Sequence, residues 1–297
     1  MTISLFFQLL INGLALGLLY MLVVLGLDVI VRVTGLVNFA HGQIYMLGAY
    51  TIFFAQSIAH TPFAVGLLLA GIAMGLLGGI CYVLVFYPMH RRFKVGQSFI
   101  YQMVMSAMAS LGLMMILSQS ALIYFGAAQK NVASPFNKMV NIASVRIPVE
   151  KLAVIALSLV ILALLYLIFF RTKLGLAMRA VSLDAEVGSM HGINSFLVFV
   201  IGFAIGCGLA GFAGAIIAPV FSVSIDMGGS MIFTAVMVML IGGMGSYKGT
   251  IVASVLVGLV MSFGQFWIGG LSQVFLFCFV IALLLVRPGG LFGDQTE

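Results

Sequence analysis

The sequence predicts an all-α integral membrane protein, a polytopic helical bundle of about eight transmembrane helices, with seven and nine as bounds. A broken or short helix is expected near 229–247. Three observations carry this. Hydrophobic residues make up 63% of the 297-residue chain, and mean hydropathy is +1.28. Charged residues make up only 7%, 13 basic and 7 acidic, against roughly 25% in a soluble domain. The apolar residues also run continuously over stretches near the 20 or so residues that a helix needs to cross a bilayer. The ten-residue alternation of an outer-membrane barrel is missing. A soluble enzyme, a disordered chain, a collagen-like repeat and a disulfide scaffold are excluded together.

Taken in order, the apolar runs are 5–27, 35–56, 62–86, 99–125, 152–170, 196–218, 229–247, 249–267 and 271–286. The N-terminal run has no basic residue before it and no clear small-x-small cleavage site, so it reads as a first span and not as a removed signal. The run 229–247 is the doubtful one, because it ends in IGGMGSYKG. Four glycines in eight residues disfavour an uninterrupted helix. Two polar connections are long. Residues 126–151 form an outer loop punctuated by Pro135 and Pro148. Residues 171–195 form an inner loop in which LGLAMRAVSLDAEVGSMHG reads as mildly amphipathic helix. A loop of that length exceeds what a turn requires and reads as a docking surface for a soluble partner, with an ordinary surface loop as the alternative. The whole chain, 1–297, reads as a single transmembrane domain.

The charges orient the bundle. With the N-terminus outside and 229–247 crossing, Arg32, Arg91, Arg92, Lys94, Arg171, Lys173, Arg179, Lys248 and Arg287 face the cytoplasm. Lys130, Lys138, Arg146 and Lys151 face out. The nine-to-four split has the sign of the positive-inside rule and leaves the C-terminus cytoplasmic. The basic residues form no stripe, which argues against nucleic acid as a partner; membrane lipid is the expected surrounding.

Polar groups at membrane depth are few: Gln8, Asn12, Asp28, Asn38 and His41. Each needs a partner. Such groups mark either a substrate path or subunit seam, or a structural hydrogen bond, and Asp28 has Arg32 at helical spacing. No set of membrane carboxylates resembles a proton relay or a sodium site. Gly13/Gly17, Gly71/Gly75 and Gly202/Gly206 have the small-xxx-small spacing of close helix contacts, continued by Gly211 and Gly214. GGMGSYKGT is not a phosphate loop, because Tyr247 precedes Lys248 and Gly249 follows it. No catalytic motif and no metal-ligand spacing occurs among the four histidines and three cysteines. The expectation is a non-enzyme that binds no cofactor itself.

Four stretches then carry a resemblance. GLVNFAHGQIYMLGAY (35–50), LGLAMRAVSLDAEVGSMHGIN (174–194), IGGMGSYKGTIVASVLVG (241–258) and RPGGLFG (287–293) resemble the motifs of the LivH-type permease of bacterial branched-chain amino-acid ABC transporters, a binding-protein-dependent inner membrane permease family. The likeness runs over almost the whole chain. It implies that the inner loop couples to ATPase subunits through Gly175, Arg179, Asp184 and Gly192. Leu183 stands where the family commonly has Glu. Asn38, His41, Gly242, Gly243 and Gly245 fall in the other motifs, as residues of the translocation path or of helix packing.

The partners implied are a homologous, LivM-like second permease, two cytoplasmic ATPase subunits that use ATP, and a periplasmic or lipid-anchored substrate-binding protein. The expected location is the bacterial cell inner membrane, and the expected cargo is branched-chain or related amino acids. The alternative is a self-contained secondary transporter of a small organic solute.

Overall fold

The structure is a computed structural model that describes residues 3–92, 99–135, 138–142, 145–243, 245–287 and 289–292. Nine apolar helices of fifteen or more residues make up the bundle among the described residues. They are α1 (Ile3–Thr34), α2 (His41–Ser57), α3 (Phe63–His90), α4 (Phe99–Phe125), α5 (Val149–Arg171), α8 (Ser195–Ile217), α9 (Met227–Gly242), α10 (Tyr247–Ile268) and α11 (Ser272–Val286). The count sits at the upper bound of the sequence expectation, because the doubtful run 229–247 forms a short helix of its own, α9, while α10 and α11 are separate helices joined at Gly269–Leu271, as their two apolar runs predict. Two short helices, α6 (Lys173–Leu183) and α7 (Ala185–Met190), fill the inner loop.

The centre of the bundle is α1, packed against α8 and α10, with α2 and α3 also against α8. Of the long helices α1 is the most buried and α4 the least. Glycines set how closely the central helices approach. A Cβ at Gly26 would lie 2.6 Å from the Gly206 carbonyl oxygen. One at Gly17 would lie 2.9 Å from the Val255 Cα, and one at Gly48 2.6 Å from the Gly211 Cα. In lipid, where no hydrophobic force drives helices together, such backbone-to-backbone contact supplies the packing energy.

The second apolar run does not begin as a helix. Gly35 ends α1, and residues 35–40 are non-helical before α2 starts at His41. This non-helical segment runs through the protein interior, with Leu36, Asn38 and Ala40 fully buried. Its N–H groups therefore need protein partners. Ser106 and Ser110 of α4 accept from Val37 N and Phe39 N, both at 3.0 Å, and Asn38 Oδ1 accepts from Ala40 N at 3.1 Å. In α3, Pro88 lacks an N–H and its ring crowds the carbonyl four residues back. The turn before it widens into π-helix over Tyr82–Phe86.

The outer loop holds an antiparallel hairpin, β1 (Met139–Ile142) with β2 (Val145–Pro148), the one departure from an all-α chain among the described residues. Lys130 pairs with Val223 through reciprocal backbone hydrogen bonds of 2.9 and 2.8 Å, which tie this loop to the α8–α9 connection. The bundle thus has a hairpin end and an α6–α7 end. Lys130, Lys138, Arg146 and Lys151 belong to the hairpin end. Arg32, Arg91, Arg92, Arg171, Lys173, Arg179, Lys248 and Arg287 belong to the other. Lys94 lies outside the described residues, as do Pro288 and Gly293 of the C-terminal motif.

Candidate functional site

Between α1, α2, α5, α8, α9, α10 and α11 lies a cavity of about 720 Å³, within the range of small-molecule sites. Its walls are mixed. Leu16, Leu19, Met231 and Met261 give an aliphatic lining, and Tyr20 and Tyr45 add rings. Lys151, in the first turn of α5, and Asp226, at the N-cap of α9, are its two charged residues. Lys151 Nζ donates to the Asn12 side-chain oxygen of α1, across 139 residues of sequence. Asp226 caps no backbone N–H of α9. Ser262 donates to the Leu9 carbonyl at 2.7 Å and Thr234 to the Ser230 carbonyl at 3.0 Å, so these hydroxyls present acceptor lone pairs to the cavity. Of the polar residues that the sequence singles out at membrane depth, Asn12 lines this space.

Asn38 and His41 sit elsewhere. Both are fully buried, and neither lines the cavity. His41 Nε2 lies 3.0 Å from the Val23 carbonyl, which fastens the start of α2 to the middle of α1. Asn38 turns its oxygen onto the local backbone. His41 thus joins two helices, and Asn38 bonds within its own segment.

The glycine-rich segment is a tight helix-to-helix turn at the α6–α7 end of the bundle. Gly242 closes α9 against Gly249 of α10, and a Cβ on Gly242 would lie 2.6 Å from the Gly249 carbonyl carbon. Gly243 adopts φ 92°, a conformation that side chains with a Cβ rarely take. Ser246 caps α10, its hydroxyl accepting from Gly249 N at 3.1 Å. Gly245 faces Arg32, whose guanidinium lies 4.3 Å from the Tyr247 ring centroid. Arg32 therefore engages Tyr247 while still attracting Asp28 electrostatically, and Asp28 takes its side-chain hydrogen bond from Thr250.

In the inner loop the expected continuous helix is two. Thr172 caps α6 by accepting from Gly175 N at 3.1 Å. Asp184 ends α6 and caps α7, accepting from Glu186 N at 2.8 Å and Val187 N at 3.0 Å. Gly175 lies so close to the end of α5 that a Cβ would sit 2.5 Å from the Ile168 carbonyl oxygen. Arg179 donates to the Phe169 carbonyl, and its guanidinium lies 5.5 Å from the Phe170 ring centroid. Gly192 takes φ 80° in the turn that leaves α7, where the Ile193 N–H returns to the Gly188 carbonyl. The four motif residues thus shape the loop and hold it to α5.

What the loop presents outward is apolar. Leu183 is 89% exposed and Met190 82% exposed, with Leu176 and Val187 also exposed. The sequence marked Leu183 only as a departure from the family's Glu and gave no sign of the other three, because an apolar residue beside apolar spans carries no signal until its direction is known. A link also runs inward from this loop. Arg179 holds the Phe169 backbone, the Phe169 ring packs edge-on against Tyr247 at 5.8 Å, and Tyr247 meets Arg32 of α1. Among the described residues, no group of three or more His, Cys, Asp or Glu is arranged to hold a metal ion.

Residues 9–286 match the family described as branched-chain amino acid transport system / permease component. The chain is 26% identical to the high-affinity branched-chain amino acid transport system permease protein BraD of Pseudomonas aeruginosa, over 97% of this chain and 96% of that protein. It is likewise 26% identical to the permease proteins LivH of Escherichia coli and Salmonella typhimurium, with the same coverage. No solved structure matches it.

Proposed function

The chain belongs to the branched-chain amino acid transport system permease family, and on that footing we propose that it is the membrane-spanning permease subunit of an importer that carries branched-chain amino acids into the cytoplasm. It sits in the bacterial inner membrane with the α6–α7 end in the cytoplasm and the hairpin end outside. It pairs with a homologous second permease. Two ATPase subunits dock on α6 and α7, and a binding protein delivers substrate at the hairpin end. ATP is bound and hydrolysed on the partners, whose binding biases the permease between its two open states.

The observation that carries this reading is the match across nearly the full length of both chains. The exposed apolar knob of the inner loop, Leu176, Leu183, Val187 and Met190, supports the docking role. Large exposed apolar side chains outside the spans are the usual mark of a protein contact. The basic residues, eight at one end and four at the other among the described ones, support the orientation.

The experiment is uptake of radiolabelled L-leucine by cells that carry the chain together with its neighbouring transport subunits. Deletion of this chain alone is expected to abolish the saturable, high-affinity component. Retention of that component in the deletion strain contradicts the proposal.

A further inference from the structure

We infer that the 720 Å³ cavity is a recognition site for a free zwitterionic aliphatic amino acid within the permease itself, with Lys151 receiving the α-carboxylate and Asp226 the α-ammonium. This rests on the transport reading above and adds the site and its chemistry. Two unlike charges line a cavity whose remaining wall is apolar in its larger part, aliphatic with a few rings, and otherwise uncharged polar. Lys151 gives a hydrogen bond to the neutral Asn12 amide and not to Asp226, which leaves it donors for an incoming carboxylate. Asn12 in turn fixes the ammonium against α1. Asp226 is exposed, and none of the α9 backbone N–H groups takes its side chain as a cap. The charges stand on different helices, α5 and α9, so a ligand with one charge satisfies one wall only. Leu16, Met231 and Met261 receive the aliphatic side chain, and the unbranched, pliable methionines accommodate several branching patterns.

The site predicts a two-charge requirement. The test uses the permease purified with its co-purifying subunits in lipid nanodiscs, with Cys278→Ser to remove the exposed native thiol. Ser230→Cys and, separately, Ser224→Cys place a thiol in the cavity wall. L-Leucine is expected to slow labelling of these thiols by a polar methanethiosulfonate at least fivefold. Isocaproate, which lacks the ammonium, and isoamylamine, which lacks the carboxylate, should leave labelling unchanged at the same concentration. Lys151→Met and Asp226→Asn should each raise the half-protecting leucine concentration at least tenfold, while Lys138→Met, a basic residue of the same loop outside the lining, should leave it unchanged. Equal protection by isocaproate or isoamylamine overturns the assignment of charges. Absence of leucine protection at both thiols, or failure of both to be labelled, overturns the site. If the parent complex still takes up leucine in that case, the transport reading stands without this site. If it takes up none, both fall.

Discussion

Asp28 shows what a single polar residue in this bundle requires. Its carboxylate is fully buried, and Oδ2 accepts from the Thr250 hydroxyl while Oδ1 has no hydrogen-bond partner among the described residues. Removing the donor leaves a buried acceptor unsatisfied, at a cost of about 1–3 kcal/mol. Thr250→Val is therefore expected to lower the thermal unfolding midpoint of the purified permease, and adding Asp28→Asn should recover part of the loss. An unchanged midpoint in the single variant contradicts the bond. At this scale the sequence was legible in kind and not in partner. A carboxylate at membrane depth must be paired, but the nearest candidate along the helix, Arg32, stacks on the Tyr247 ring and attracts it only through space, and the hydroxyl that hydrogen-bonds it lies 222 residues away. His41 follows the same pattern, since its residue type announces a buried hydrogen bond and only the packing of α1 against α2 says with what, whereas Asn38 bonds the backbone two residues on.

Among the elements, the inner loop separates shaping residues from presenting ones. Asp184 breaks the apparent helix 174–192 because a short acidic side chain bonds the backbone two and three residues on, which competes with helix continuation. Asp184→Ala should cost about 1 kcal/mol of local stability as a lost N-cap and weaken ATPase association by loosening α7. Leu183→Lys, opposite in sign to the Glu common in the family, and Met190→Glu, at side chains that touch little of the fold, should leave insertion and midpoint unchanged and reduce co-purification of the ATPase subunits at least tenfold. Undiminished co-purification in the Leu183→Lys, Met190→Glu double variant contradicts the docking face. Gly17, Gly206 and Gly211 were legible from small-xxx-small spacing, because backbone approach depends only on the missing Cβ, while Gly26, Gly48 and Gly258, which they meet, fall outside the spaced pairs. In the α1–α10 contact, Gly258→Leu should destabilise the fold, since even a Cβ there would lie 2.5 Å from the Gly17 Cα. The buried, non-helical entry to α2 was not legible. Hydropathy registers that residues 35–40 are apolar and says nothing of the Ser106 and Ser110 hydroxyls that accept from their N–H groups.

For the molecule as a whole, hydropathy and charge placement predicted a polytopic α-bundle and the segregation of basic residues between its ends. The cavity was invisible from the sequence, because its walls come from seven helices and its two charges are 75 residues apart in the chain. The orientation is testable by itself. A cysteine replacing Lys138 should react with a membrane-impermeant maleimide added to intact spheroplasts, and one replacing Lys173 should react only after permeabilisation; the reverse pattern contradicts the assignment of ends. The most direct test of the transport account is energised uptake in proteoliposomes that hold the permease with its co-purifying subunits and receive the binding protein loaded with L-leucine. Accumulation is expected to require ATP on the side of the ATPase subunits and to persist when ionophores collapse the proton and sodium gradients. Accumulation without ATP that disappears on addition of the ionophores would contradict it.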